Sequence, residues 1–237
     1  MSVPKRIFQN ELSADLYIGK EDQNYHYLTR VLRAEVEDSF QFFNGKGQIA
    51  LGTLEDISKN HCYFKLNAPE QLKDLNYTLH LGQALLKGNS LDLVVQKAIE
   101  IGVTQISLFP SVYSEGGRKL EEKKMERFLN IMQRAAEQSM CYWLPDCTFF
   151  KSLEDWLASL PHQDTCRLLC DPRGEKLSSL SIQSSVIYAI GPEGGFAPQE
   201  TLIAKSAGFE TVALQANVLR AETAGFIAGA VFRQFIT

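Results

Sequence analysis

An apolar run, Val186-Ile-Tyr-Ala-Ile190, passes without a break into Gly191-Pro-Glu-Gly-Gly-Phe196. An apolar segment this short, bounded by glycine, reads as a strand buried on both faces. A glycine-rich turn then brings bare backbone to the carboxyl end of that strand, where α/β sheets bind their ligands. A ligand approaches the chain there without meeting a Cβ. The loop lacks the Lys-Ser or Lys-Thr of a phosphate-binding P-loop and the G-x-G-x-x-G dinucleotide fingerprint, which disfavours nucleoside triphosphates and NAD. By itself it is also consistent with a plain tight turn.

The rest of the chain from Tyr77 has the rhythm that builds a parallel sheet covered on both sides. Strands are predicted at Tyr77 to Leu86, Gln105 to Phe109, Arg167 to Asp171, Val186 to Ile190 and Thr211 to Leu214. Between them Ser90 is the expected N-cap of a helix that buries Leu91, Val94, Val95, Ala98 and Ile99 and stops at Gly102. Further helices are expected over Glu121 to about Met140, from Pro198 to Gly208, and over Ala221 to Phe235.

Residues 1 to 70 read differently. Short segments at Arg6 to Phe8, Leu16 to Ile18, Ser39 to Phe43, Gln48 to Glu55 and Cys62 to Leu66, with Asn44-Gly45-Lys46-Gly47 as a turn, suggest a small β-barrel. One helix, about Asp22 to Leu32, is expected to put Arg30 and Arg33 within a turn on one face. Pro69 to Asn76 is the expected linker. The division is therefore 1–70 and 71–237.

A net charge of −4 argues against holding nucleic acid by bulk electrostatics, so any RNA contact must be local. The five cysteines are odd in number and never spaced C-x-x-C. They are expected to be reduced and buried, with no metal site. No stretch has the roughly 18 uncharged apolar residues of a membrane span, and the start has no apolar signal core, so a cytoplasmic location is expected.

A second loop, Leu214 to Ala224, leaves the end of the strand Thr211 to Leu214 and enters the last helix near Glu222 or Thr223. A carboxylate suits a helix N-terminus and a cation does not, so Arg220 points to a ligand role rather than to helix stability; a salt bridge to Glu222 or Glu193 is the alternative.

Taken together, His26-Tyr-Leu-Thr-Arg-Val-Leu-Arg33, Lys97-Ala-Ile-Glu-Ile-Gly-Val103, Ala135-Ala-Glu-Gln-Ser139, Gly191-Pro-Glu-Gly-Gly-Phe196 and Leu219-Arg-Ala-Glu-Thr-Ala224 resemble the 16S ribosomal RNA uracil-N3 methyltransferases, members of the SPOUT class. The resemblance implies an α/β fold with a small N-terminal PUA-like β-barrel and a C-terminal SPOUT domain carrying a parallel sheet and a trefoil knot. It implies S-adenosyl-L-methionine as cofactor, 16S rRNA or the small ribosomal subunit as partner, and a homodimer. Carried onto this sequence, the cofactor lies against Leu169, Asp171, Gly191, Pro192, Glu193, Gly194, Gly195, Leu214, Asn217, Val218 and Leu219. Arg220 stabilises the developing oxyanion of the uracil, and Glu222 orients it or acts as base. Lys5, Arg6, Arg30 and Arg33 contact RNA backbone. Ala221, Ala224, Gly225, Ala228 and Gly229 form a small-residue face open either to a second subunit or to packing within the chain.

The chain departs from the family pattern in three places: Ser114-Glu-Gly-Gly-Arg118, with Gly116 where the family has arginine; Met140-Cys-Tyr-Trp-Leu144, where it has an arginine before a proline; and Leu214-Gln-Ala-Asn217, where it has Leu-Gly-x-Arg. Two other readings therefore stay open here: a divergent relative acting on another RNA site, or an RNA-binding assembly protein without catalysis.

Overall fold

The computed structural model describes residues 5–114, 122–161, 165–176, 184–214 and 217–236. The chain divides into two compact units: the residues up to Asp74 together with Ala136–Leu144, and Leu75–Ala135 together with the residues from Pro145 onward.

The first unit is built on a sheet of order β1-β3-β4-β5-β2, from β1 (Lys5–Phe8), β2 (Asp15–Gly19), β3 (Ser39–Phe43), β4 (Gln48–Ile57) and β5 (His61–Leu66), with β6 (Glu70–Gln71) pairing β4. Only β1 and β3 run parallel. Alternation along the strands sends Ile7, Ile18, Phe40, Phe42, Leu54 and Phe64 into one buried cluster. There the Phe64 ring meets Phe40 and Phe42 edge-on at 5.5 and 5.0 Å. The β3–β4 turn forms as its residues dictate. Asn44 Oδ1 accepts from the Lys46 amide at 2.8 Å, and Gly45 and Gly47 take φ of 72° and 78°, a region other residues rarely enter.

The helical segment differs from its expectation. Helix α1 (Gln23–His26), capped by Asp22 Oδ1 accepting from the Asn24 amide at 2.8 Å, widens into a π-helical turn over Tyr27–Leu32. Arg33 then leaves the helix in the left-handed region, φ 49°. Arg30 and Arg33 thus do not share one α-helical turn, because the wider turn changes the period and the chain reverses at the second arginine.

In the second unit six parallel strands take the order β12-β10-β11-β7-β8-β9. They are β7 (Thr78–Ala84), β8 (Gln105–Phe109), β9 (Asp146–Phe149), β10 (Cys166–Lys176), β11 (Ser185–Ile190) and β12 (Glu210–Ala213). Helices α2 (Ser90–Ile101), α3 (Glu122–Ser139), α4 (Leu153–Ser159), α5 (Pro198–Ser206) and α6 (Ala221–Phe235) complete the order. The buried face of α2 is Leu91, Val94, Val95, Ala98 and Ile99, and Gly102 ends it at φ 85°. Its N-cap is Asn89, without a side-chain bond, so Ser90 is the first helical residue rather than the cap.

The small-residue stripe of α6 is spent inside the chain. Ala221, Gly225, Ala228 and Gly229 are buried, and α6 packs on α2, β7 and β11. Tyr188 Oη donates to the Gly225 carbonyl at 3.3 Å, and a Cβ on Gly229 would come within 2.6 Å of that hydroxyl.

Among the described residues all five cysteines are free, no His, Cys, Asp and Glu cluster could hold a metal, and no helix is long and apolar enough to cross a membrane. Burial pushes the Cys147 thiol up to about 12, which removes thiolate reactivity at neutral pH.

Candidate functional site

The carboxyl ends of β10, β11 and β12 open onto a cleft of about 980 Å³, at the upper end of the range for small-molecule sites. Gly191, Pro192, Glu193, Gly194 and Gly195 line one side, and Leu214, Asn217, Val218, Leu219, Arg220 and Glu222 another. The two loops predicted to carry the chemistry are therefore neighbours. Gln215 and Ala216 lie outside the described residues, as do Gly116 and its neighbours 115–121.

The glycine loop closes through a bond from the Gly195 amide to the Pro192 carbonyl, 2.9 Å. Gly195 takes φ +73° and has open space where a Cβ would stand. A Cβ on Gly194 would meet Tyr113 Cβ at 3.0 Å, so the glycine lets the loop after β8 reach the cleft, and Tyr113 is part of its lining. Glu200, 5% exposed, fixes that approach. Its carboxylate accepts from Ser111 Oγ at 2.9 Å, from the Val112 amide at 3.0 Å and from the Ala197 amide at 2.8 Å. One buried carboxylate thus ties the loop after β8 to the start of α5. Glu193 accepts from the Lys87 amide at 3.0 Å.

Arg220 is the exposed N-cap residue of α6 and makes no side-chain cap bond. Among the described residues no ion pair joins it to Glu222 or Glu193. Glu222 stands in the first turn, where the helix dipole favours a negative charge. Val218, 80% exposed, leaves an apolar side chain at the cleft for a ligand to cover.

One placement corrects the sequence reading. Leu169 is fully buried in the cluster beneath the sheet and does not line the cleft; the next residue, Cys170, does. Burial pushes that thiol up. Asp171 does line the cleft, but Arg173 occupies its carboxylate through Nε at 2.9 Å and Nη2 at 2.7 Å, and this holds the carboxyl below its usual range. Sequence reasoning passed over Arg173, although a cation two residues beyond a strand-end aspartate was a usable signal.

The four RNA-contact candidates lie in the first unit. Lys5, Arg30 and Arg33 are exposed, and Lys5 Nζ reaches the Leu32 carbonyl at 3.5 Å, next to Arg33. Arg6 is half-buried, and its Nε has no partner among the described residues.

Known proteins resemble this chain along most of its length. The RNA methyltransferase domain family matches residues 73–233 and the RNA methyltransferase PUA domain family residues 21–67. Ribosomal RNA small subunit methyltransferase E of Synechocystis sp. is 30% identical over 86% of this chain and 68% of its own length. A methyltransferase of Legionella pneumophila, solved with bound SAM, superposes with a TM-score of 0.88 at 26% identity over 98% of both chains. The ribosomal RNA small subunit methyltransferase E of Neisseria gonorrhoeae, bound to S-adenosyl methionine, gives 0.86 at 26% identity over 98% of both chains.

Proposed function

We propose that this chain, which belongs to the RNA methyltransferase family, transfers a methyl group from S-adenosylmethionine to N3 of a uridine in the 16S rRNA of the small ribosomal subunit. The observation that carries the reading is the shared cleft. Two strand-end loops, through residues 191–196 and through Leu214 and residues 217–220, face one cavity whose volume suits a nucleoside-sized donor. The residues present fit S-adenosylmethionine. The glycine loop Gly191 to Gly195 lines the cleft with backbone against which the adenine can lie, and Leu214, Val218 and Leu219 offer apolar cover. The relatives are named for ribosomal RNA of the small subunit, the uridine N3 follows from the family resemblance, and a substrate in the small subunit implies a cytoplasmic enzyme.

When bound, the cofactor supplies an already electrophilic methyl on sulfur. The chain's part is alignment of the uracil for in-line displacement and stabilisation of its charge as N3 loses a proton. Carbon–sulfur cleavage accompanies formation of the N3–methyl bond, and the N3 proton leaves to a base. Arg220, with no carboxylate partner among the described residues, is free to face the uracil oxygen on which negative charge grows. Glu222, in the first turn of α6, is the candidate to orient Arg220 or to take the proton. Lys5, Arg6, Arg30 and Arg33 hold RNA backbone, which positions the substrate without reading sequence. The family reading also supports the 1–70 and 71–237 division, a trefoil knot in the second part, and a homodimer.

Mass spectrometry of 16S rRNA from a strain lacking the protein tests the reading: one uridine should lose its N3 methyl, and complementation should restore it. Arg220→Ala should fail to complement, with kcat down roughly 100-fold to 1000-fold and cofactor affinity kept. Full methylation in the deletion strain removes the proposal.

A further inference from the structure

The ladder between β10 and β12 breaks once. Val212 faces Cys170 and then Glu175, so Asp171, Pro172, Arg173 and Gly174 leave the pairing as an excursion at the carboxyl edge. Irregularities of this kind re-aim side chains beside active sites. Two contacts fix this one. Asp171, 6% exposed, accepts on Oδ1 from the Arg173 amide at 2.8 Å and Nε at 2.9 Å, and on Oδ2 from Nη2 at 2.7 Å. Gly174 lies so close to β12 that a Cβ there would stand 2.6 Å from Val212 backbone N and C.

The guanidinium is planar, so gripping a carboxylate with Nε and one Nη2 proton leaves both Nη1 protons and the second Nη2 proton on the opposite edge. That edge faces away from Asp171, and the side chain is 71% exposed. An ion pair this open to water contributes little stability, whereas three bonds from one buried carboxylate hold a rotamer in place. Arg173 lines the cofactor cleft and also a neighbouring cleft of about 870 Å³, beside Lys176 and Lys205, with Asp171, Glu175 and Glu210 as its acids.

We infer that Arg173 is a phosphate-binding residue for the acceptor RNA, its free edge receiving a phosphodiester of the strand that carries the target base, and that Asp171 positions it. The inference rests on the RNA methyltransferase reading and adds a site within it. An arginine fork matches phosphate geometry in two parallel bonds, and a position shared by both clefts lies within reach of a strand whose base enters the cofactor cleft.

Filter binding of transcribed 16S rRNA to the full chain, with calorimetry of S-adenosylmethionine alongside, tests it. Arg173→Ala should weaken RNA binding by roughly tenfold to a hundredfold, lower the salt slope by about one and change RNA affinity more than cofactor affinity. Asp171→Asn removes a negative charge and by bulk electrostatics should tighten RNA binding; as the loss of a positioning residue it should weaken it. The double variant should bind RNA no more weakly than Arg173→Ala alone, since both act on one contact. Unchanged RNA affinity in Arg173→Ala, a fall in cofactor affinity instead, or tighter binding by Asp171→Asn would each overturn the inference. Absence of methyl transfer by the unaltered protein would sink the functional reading, while the RNA affinities would still judge Arg173.

Discussion

His80, on β7, is 7% exposed, with Nε2 2.8 Å from Ser107 Oγ and its ring edge-on to Trp156 at 5.8 Å. Burial disfavours the charged ring and holds its pKa down to about 4 from 6.5. The unfolded chain then binds a proton that the folded chain refuses between those values, so stability rises with pH across that window and is lost on acidification. The expected loss on going from pH 7 to pH 4 is up to about 3 kcal/mol, read from urea unfolding at several pH values. His80→Gln should flatten that slope, and an unchanged slope would assign it to other groups. No sequence pattern announces this histidine. Arg220 and Glu222, by contrast, stand at the cleft, where loop, helix start and dipole argument coincide in the sequence. Leu169 falls one residue short of the cleft: it is still in the ladder with β12 and buried in the core, and the lining begins at Cys170. Arg173 was hidden by an excursion from the ladder that composition does not encode.

Among the elements, the buried strands and the apolar stripe of α2 were readable because period and burial agree. Helix α4 was overlooked, although Ser152 Oγ accepts from the Asp155 amide at 3.1 Å as an N-cap and Leu153, Trp156, Leu157 and Leu160 repeat at helical spacing and are buried. Its seven residues are too few for a period to stand out. The element nevertheless supplies much of the core beneath the sheet. Trp156 stacks on Phe109 at 4.9 Å and lies where β7 carries a glycine: a Cβ on Gly82 would come within 2.2 Å of the indole ring. Gly82→Ala should therefore cost roughly 1 to 3 kcal/mol through overpacking, measured by denaturant unfolding. A change near zero would mean the indole has room to move. The π-helical turn at Tyr27–Leu32 likewise escaped notice, since α and π turns share the same residue preferences and differ in the bonds they close.

For the molecule as a whole, a boundary near residue 70 accounts for the change of rhythm but not for Ala136–Leu144, which belong to the first unit. There the Glu137 carboxylate accepts from the Phe8 amide at 3.0 Å and Tyr142 Oη meets Gln41 Oε1 at 2.6 Å. Trp143 packs so tightly that a Cβ on Gly47 would lie 2.1 Å from its ring. The stretch that departs from the family pattern at Met140 to Leu144 thus clasps the β3–β4 turn, a long-range role invisible to local reading. Threading of a chain through itself is equally nonlocal. The stripe on α6 is used within the chain, so a homodimer must draw on other surfaces. Sedimentation velocity should give about twice the 26.6 kDa chain mass, and a single-chain mass would remove the dimer.

The claim on which the account turns is that the loops at 191–196 and 214–220 make one donor site. Calorimetric titration of the intact chain with S-adenosylmethionine measures it directly. One cofactor should bind per chain with saturable heat, and Gly194→Leu, which fills the cleft edge beside Tyr113, should abolish that heat. A chain that shows no heat of binding, or a Gly194→Leu variant that binds as the unaltered protein does, would contradict it.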